Sequence, residues 1–270
     1  MKRSRAIELL FFTLLLSLIT SCYESVDGCL DPEATNYDVN ADNDCDDCCI
    51  LPSFNILMSY LVDGESYIDG NSFRVSQQGL MIEDFHFFIS DISLIDPDGN
   101  EVDYEDEFLI YDQSQSGENI TEDFKYFASN QFRGTLENIR YSGFINEIRF
   151  NIGLTERINS YDKDSLEVNT ELSKAPDSVY VSIQEGYEFY SFQIRDTIEN
   201  SIEIRETDAY PLPEINVILD DVEIRRGFND ELNLFIDFGL LFDGINLREM
   251  NESEVLMTII DNFPGSFGKR

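Results

Sequence analysis

Residues 82–99 read IEDFHFFISDISLIDPDG. From Ile82 to Ile95 the run is rich in Phe and Ile with mixed alternation, the composition of a β-strand. Asp96-Pro97-Asp98-Gly99 then supplies turn chemistry, with Pro97 fixing φ and Gly99 permitting the conformations other residues avoid. Glu107 to Asp112 follows as another strand, so a hairpin is expected here.

The same texture extends outward from this stretch in both directions. Phe54 to Leu61 is a candidate strand upstream. Downstream, Asn146 to Leu154 alternates Ile148, Phe150 and Ile152 against Glu147, Arg149 and Asn151, so one face is buried. Asp177 to Asp196 offers two runs around Gly186. Ser201 to Glu206, Ile215 to Leu219 and Leu232 to Phe238 complete the set, with Gly227 to Asp230 as a turn. Two stretches read as helical: Gly117 to Ser129, and Glu252 to Asn262. In the second, Asn251 or Ser253 can cap while Val255, Leu256, Ile259 and Ile260 line one face. Many short strands with frequent turns predict a mainly β protein, an antiparallel β-sandwich with a short C-terminal helix.

The other end of the chain predicts a compartment. Basic Lys2, Arg3 and Arg5 precede an apolar run from Leu9 to Ile19, and Thr20-Ser21 leads to Cys22. A bilayer span needs about 20 apolar residues, so this run is a signal peptide rather than a membrane helix. Ile19-Thr20-Ser21-Cys22 resembles a bacterial lipobox, which implies cleavage after residue 21 and a diacylglycerol on the Cys22 thiol. Anchorage by lipid at the bacterial outer membrane, on its periplasmic or surface face, is the expected localisation.

Cleavage there leaves 15 Lys plus Arg against 53 Asp plus Glu, a net charge of −38. Such a surface repels phosphate backbones and attracts cations, which argues against nucleic acid as a partner. The 21 Phe and 13 Tyr argue against disorder, because they supply a core.

All five cysteines lie in the first 49 residues. With Cys22 acylated, Cys29, Cys45, Cys48 and Cys49 remain, an even number suited to disulfides in an oxidising compartment. A bond between adjacent Cys48 and Cys49 would force a strained ring. This leaves 29–48 with 45–49, or 29–49 with 45–48. Zinc at Cys45-x-x-Cys48 is the rival, disfavoured by the flanking Asp residues and the exported location.

Residues 28–49 have almost nothing apolar to bury. Within them Asp38, Asn40, Asp42, Asp44 and Asp46 alternate, a spacing that can turn several hard oxygens toward one calcium ion. An EF-hand is excluded, because its sixth position is Asn43 instead of Gly and its twelfth is Cys49 instead of Glu. The segment is similar to short acidic Cys modules of secreted Bacteroidetes proteins and, more distantly, to thrombospondin type-3 calcium repeats. An acidic linker stapled by disulfides, without metal, explains the same residues. Residues 1–21, 22–52 and 53–270 are thus expected to be signal, stalk and sandwich domain.

Five pieces in order, FHFFISDISLIDPDG, NEIRFNIGL with Asn159 after it, VYVSIQEGYEFYSFQI, NLFIDFGLLFDG and TIIDNFPGSF, resemble the methanobactin-associated copper-binding (MbnP-like) family across residues 53–270. The resemblance implies a β-rich, exported, often lipid-anchored protein. It also implies copper held by histidine nitrogens and a modified tryptophan. Here the chain departs from its relatives: it has no Trp, Val179 to Ile183 fills the segment where they place one, and its single histidine, His86, lies inside the Ile82–Ile95 strand. Its five Met are scattered, so no sulfur cluster compensates. The resemblance therefore carries the fold and not the copper.

No serine elbow, phosphate loop or zinc-binding histidine motif occurs. Asp237 and Asp243 in FIDFGLLFDG are the best candidates for the carboxylate pair a glycosidase needs, but both lie beside turns where acidic residues are common. The expected function is binding, of a protein, glycan or small ligand, rather than catalysis. The alternative is metal handling through carboxylates, Met and His86.

Overall fold

The computed structural model describes residues 24–270 apart from 46, 69, 76–77, 105–106, 112–116, 122, 164–171, 173–174, 183, 199–200 and 208–209. The predicted signal and Cys22 lie outside the described residues, as does Asp46. Along the chain run β1 (Asp27–Gly28), β2 (Asn43–Asp44), β3 (Phe54–Val62), β4 (Glu65–Ser66), β5 (Phe73–Val75), β6 (Gln78–Ile95), β7 (Glu107–Tyr111), β8 (Gly117–Thr121), β9 (Phe124–Ala128), β10 (Arg133–Leu136) and β11 (Gly143–Ile152). There follow α1 (Glu156–Asn159), a 3-10 turn, β12 (Tyr180–Ser182), β13 (Gly186–Tyr187), β14 (Tyr190–Asp196), β15 (Ser201–Glu206), β16 (Glu214–Ile224), β17 (Asp230–Asp237), α2 (Phe238–Leu241), α3 (Glu252–Ser266) and β18 (Phe267–Lys269).

Two sheets form the body. One has the order β10-β3-β17-β18 with β4 beside β3; the other has β15-β14-β6-β11-β16, with β5 and β9 also on β6. The expected antiparallel sandwich is present, with one parallel pair inside it, β3 with β17. β9 belongs to the larger sheet and β10 to the smaller, so the short turn between them carries the chain from one layer to the other.

β6 organises the larger sheet, and its length explains its mixed alternation. Opposite β14, Gln193 pairs with Asp84 but Ile194 with Ile82, so Glu83 is an extra residue. Opposite β11, Arg149 pairs with Ser93 but Asn151 with Ser90, and the extra residue falls at Asp91, whose φ is 50°. Each bulge flips the inward face by one residue, which keeps Leu80, Ile82, Phe85, Phe87, Ile92 and Leu94 buried along an irregular sequence. At Phe88 the strand changes neighbours. Its N–H donates to the Phe189 carbonyl and its carbonyl accepts from the Gly153 N–H, so β14 and β11 share one edge of β6 end to end.

The core is aromatic. Phe54, Phe87, Phe127, Phe150, Phe192, Phe238, Phe242 and Phe263 are essentially inaccessible, and Phe238 meets Tyr60, Tyr67, Phe85 and Phe242 with ring centroids 5.1–5.9 Å apart. α3 closes one side with buried Val255, Ile259 and Phe263 at helical spacing. Asn251 is its cap: its side chain accepts from the Glu254 N–H at 3.1 Å while the Glu254 carboxylate accepts from the Asn251 N–H at 2.8 Å.

Two sequence expectations are corrected. Gly117 to Ser129 is not helical but forms β8 and β9. Phe124–Ala128 is buried at every position, Lys125 included, and so short a stretch has no period that separates strand from helix. Pairing with β6 decides it. Among the described residues the hairpin expected between Ile82–Ile95 and Glu107–Asp112 is also not formed: β7 pairs with β8, and past the Asp96–Gly99 turn β6 meets only the short return at Glu101 and Val102, through the Ile95–Glu101 bridge and the Val102 N–H donating to the Leu94 carbonyl at 2.8 Å.

The N-terminal segment is an irregular lobe built on the parallel β1–β2 pair. Its disulfides join Cys29 to Cys49 and Cys45 to Cys48, which selects one of the two pairings left open. It seats on the turn at Gly227, where an added Cβ would lie 3.2 Å from the Ala34 carbonyl oxygen in a backbone with φ of +70°. The Pro52 carbonyl, accepting from the Ile139 N–H, fastens the junction. Among the described residues no helix is long and apolar enough to cross a membrane.

Candidate functional site

His86 stands on β6 between Ser191 of β14 and Ala128 of β9. Phe85 and Phe87 on either side point into the core, so the imidazole faces away from it, on the outer face of the larger sheet. Register then dictates its company. Ser191 pairs with both His86 and Arg205, which sets His86 and Arg205 in one row across three strands.

Glu188, just before β14, completes the group. Its Oε2 lies 3.6 Å from His86 Nε2, and its Oε1 accepts from Arg205 Nη1 at 3.1 Å. Arg205 Nη2 also meets Glu203 at 2.7 Å, and Gln193 Nε2 donates to that carboxylate at 3.3 Å. The Tyr126 ring covers the imidazole at 5.8 Å.

Burial dominates the electrostatics. It pushes the His86 imidazole down to about 4; a hydrogen bond to the Glu188 backbone opposes this, and the Arg205 charge adds to it. The Glu188 carboxyl is raised by burial against the pull of Arg205. Tyr126 is pushed up to about 12 by burial and by the negative charges of Asp84 and Glu188. At neutral pH His86 is thus uncharged. Its buried Nε2 has no hydrogen-bond partner and faces a carboxylate oxygen beyond hydrogen-bond length.

The other predicted residues do different work. Asp237 is buried, and both of its oxygens accept backbone N–H groups: Oδ1 from Asp63 at 3.0 Å and Gly239 at 2.8 Å, Oδ2 from Gly64 at 2.8 Å. It caps α2 and braces the β3–β4 turn. Asp243 is exposed, and the contact at this residue runs through its backbone carbonyl, which accepts from Asn262. Asn159 pins two loops, accepting from the Tyr187 N–H at 2.7 Å and donating to the Thr207 carbonyl at 3.1 Å.

In the acidic lobe each described carboxylate of the alternating series accepts from a backbone N–H, Asp38 within its own turn and Asp42 and Asp44 across to residues 26–30. Asp38 accepts from Asn40 N–H at 2.9 Å, Asp42 from Val26 N–H at 3.0 Å and Asp44 from Leu30 N–H at 3.1 Å. The group of metal-ligand atoms that gathers within 4.8 Å among the described residues is Asp44, Cys45 and Cys49. Both sulfurs in it are spent in disulfides, which removes the thiolates a Cys45-x-x-Cys48 zinc site requires.

Sequence reading singled out His86 but not Glu188, Arg205, Glu203 or Tyr126. Glu203 and Arg205, two apart on one face of a strand, were the available signal; the partnership itself arises from register between β6, β14 and β15.

The fold is a β-sandwich that carries this cluster on its outer face, with an acidic disulfide lobe before it. The MbnP family profile matches residues 52–258, and the chain belongs to that family. Among solved structures it is similar to MbnP from Methylosinus trichosporium, at 10% identity and a TM-score of 0.44 over 76% of this chain and 86% of that one. At that score the likeness adds nothing to the family match. No curated protein matches the chain.

Proposed function

We propose that the chain is an exported binding protein of the MbnP family, held at the outer membrane by a lipid on Cys22, with residues 22–52 as stalk and 53–270 as ligand-binding sandwich. The family match over residues 52–258 carries the binding role. The order of basic, apolar, small and Cys residues at 2–22 supports the anchor. Catalysis is not part of this reading, because the best acidic candidate, Asp237, is committed to three backbone N–H groups. In a bacterial host, mass spectrometry of the N-terminal peptide should find diacylglycerol on Cys22. A Cys22→Ala variant should leave the membrane pellet for the soluble fraction. Membrane-bound protein with an unmodified Cys22 thiol would overturn the anchor.

One observation favours a second reading, metal handling. His86 Nε2 and Glu188 Oε2 face each other at 3.6 Å with no bridging donor, an arrangement that a small cation completes. Imidazole with carboxylate suits copper(II) or zinc; the Arg205 guanidinium on the other carboxylate oxygen weakens it. This reading predicts one equivalent of copper or zinc bound to the purified full chain and lost in His86→Ala. Absence of stoichiometric metal, or its retention in the variant, removes the reading. Calcium in the lobe rests on the Asp38–Asp46 alternation alone, and the same titration with calcium, followed by melting of the chain and of Asp42→Ala, decides it.

A further inference from the structure

The two disulfides of the lobe differ in exposure and in loop length. Cys29 is 1% exposed and Cys49 half-buried, and their bond spans a sequence separation of 20. Cys48 is exposed and Cys45 half-buried, and their bond spans a separation of 3. A loop so short restricts the unfolded chain far less than the long one, so the Cys45–Cys48 bond contributes the smaller share of stability.

The surrounding hydrogen bonds hold the same backbone without it. Cys45 N–H donates to the Gly28 carbonyl at 3.2 Å, and Asn36 Nδ2 donates to the Cys48 carbonyl at 2.6 Å. Ile50 N–H donates to Asn36 Oδ1 at 2.8 Å, and its carbonyl accepts from the Thr35 N–H at 2.8 Å. Both ends of the Cys45–Cys48 segment are therefore tied to residues 26–36, and Cys49 is fixed by its own bond to the buried Cys29.

We propose that Cys45–Cys48 is a reversible two-electron redox pair, opened by an external dithiol while Cys29–Cys49 stays closed. A thiolate of the dithiol attacks the exposed Cys48 sulfur. The Cys45–Cys48 bond breaks, and Cys45 leaves as a thiolate that takes a proton from water. The dithiol's second thiol, deprotonated, then displaces Cys48 from the mixed disulfide. The products are two protein thiols and one oxidised dithiol, with two electrons and two protons transferred. The hydrogen bonds at either end keep the two thiols close, so an oxidised dithiol closes the pair again. Asp44, whose carboxylate lies within 4.8 Å of the Cys45 sulfur, repels anionic thiols, which makes the fitting partner a dithiol of neutral or basic surface.

The test uses the full chain, limiting dithiothreitol, rapid alkylation and peptide mapping at neutral pH without denaturant. Cys45 and Cys48 should be labelled at dithiothreitol concentrations at least about tenfold below those that label Cys29, and re-oxidation should restore the same pairing. A Cys45→Ser/Cys48→Ser double variant should melt within a few degrees of the parent. Labelling of all four cysteines together, or labelling that requires denaturant, would overturn the proposal. So would a double variant that fails to fold, because the bond would then be a structural staple.

Discussion

Replacing Asp237 by alanine is expected to lower the stability of the sandwich by about 1–3 kcal/mol, because three backbone N–H groups lose a charged acceptor while water can reach the exposed Asp63 and Gly64 and replace part of the loss. Those donors belong to Asp63, Gly64 and Gly239, two on the turn after β3 and one in the first turn of α2. The damage reaches the core directly: Phe238, the next residue, carries four ring contacts in the inter-sheet layer. For a chain of this size each kcal/mol is worth about 2–4 °C, so the melting temperature should fall by roughly 2–12 °C. Asp237→Asn keeps one carbonyl oxygen in place and should lose less. If thermal melts of the two variants stay within about 2 °C of the parent, the carboxylate is not a structural acceptor and its candidacy as a catalytic acid returns.

The second large effect is acid sensitivity carried by His86. Its folded pKa of about 4 lies below the usual histidine value of 6.5, so between these values the unfolded chain binds a proton that the folded chain refuses. Stability from the buried neutral imidazole is complete above about pH 6.5 and is lost as pH falls toward 4, by about 3 kcal/mol. Other groups pull the opposite way. Asp123 is pushed up to about 6 by burial, against a hydrogen bond from the Tyr104 hydroxyl, and Glu188 is raised as well. A carboxyl with a raised folded pKa adds stability as pH falls through that value, so the two kinds of group offset each other in the parent chain. A His86→Gln variant keeps the carboxyls and drops the imidazole. It should gain stability relative to the parent by about 3 kcal/mol between pH 7 and pH 4, read from urea unfolding at several pH values. Parallel pH profiles for parent and variant would show that the imidazole is solvated and titrates normally.

Much of the sandwich was legible because it is written in local patterns. Strict alternation at Ile148, Phe150 and Ile152 gave the buried face of β11, and of the two caps the sequence offered for α3, Asn251 and Ser253, the structure uses Asn251. Misreadings fell where local pattern is ambiguous. Phe124–Ala128 is buried throughout, and neither a helical nor a strand period can be read from it. In β6 the alternation breaks twice because Glu83 and Asp91 are bulge residues, and a bulge exists only relative to a partner strand.

By itself the sequence determined the β class, the turns, the confinement of cysteines to an acidic N-terminal segment, and the absence of any recognisable catalytic motif. The tertiary structure decided which cysteines pair, that β7 takes β8 as its partner, that Asp237 serves the backbone, and that His86 meets Glu188 and Arg205. The physical reason is common to all four. Composition and period depend on residues near in the chain, whereas disulfides, strand register and buried polar pairs depend on which distant segments come within a few ångströms, and only the packed chain fixes that.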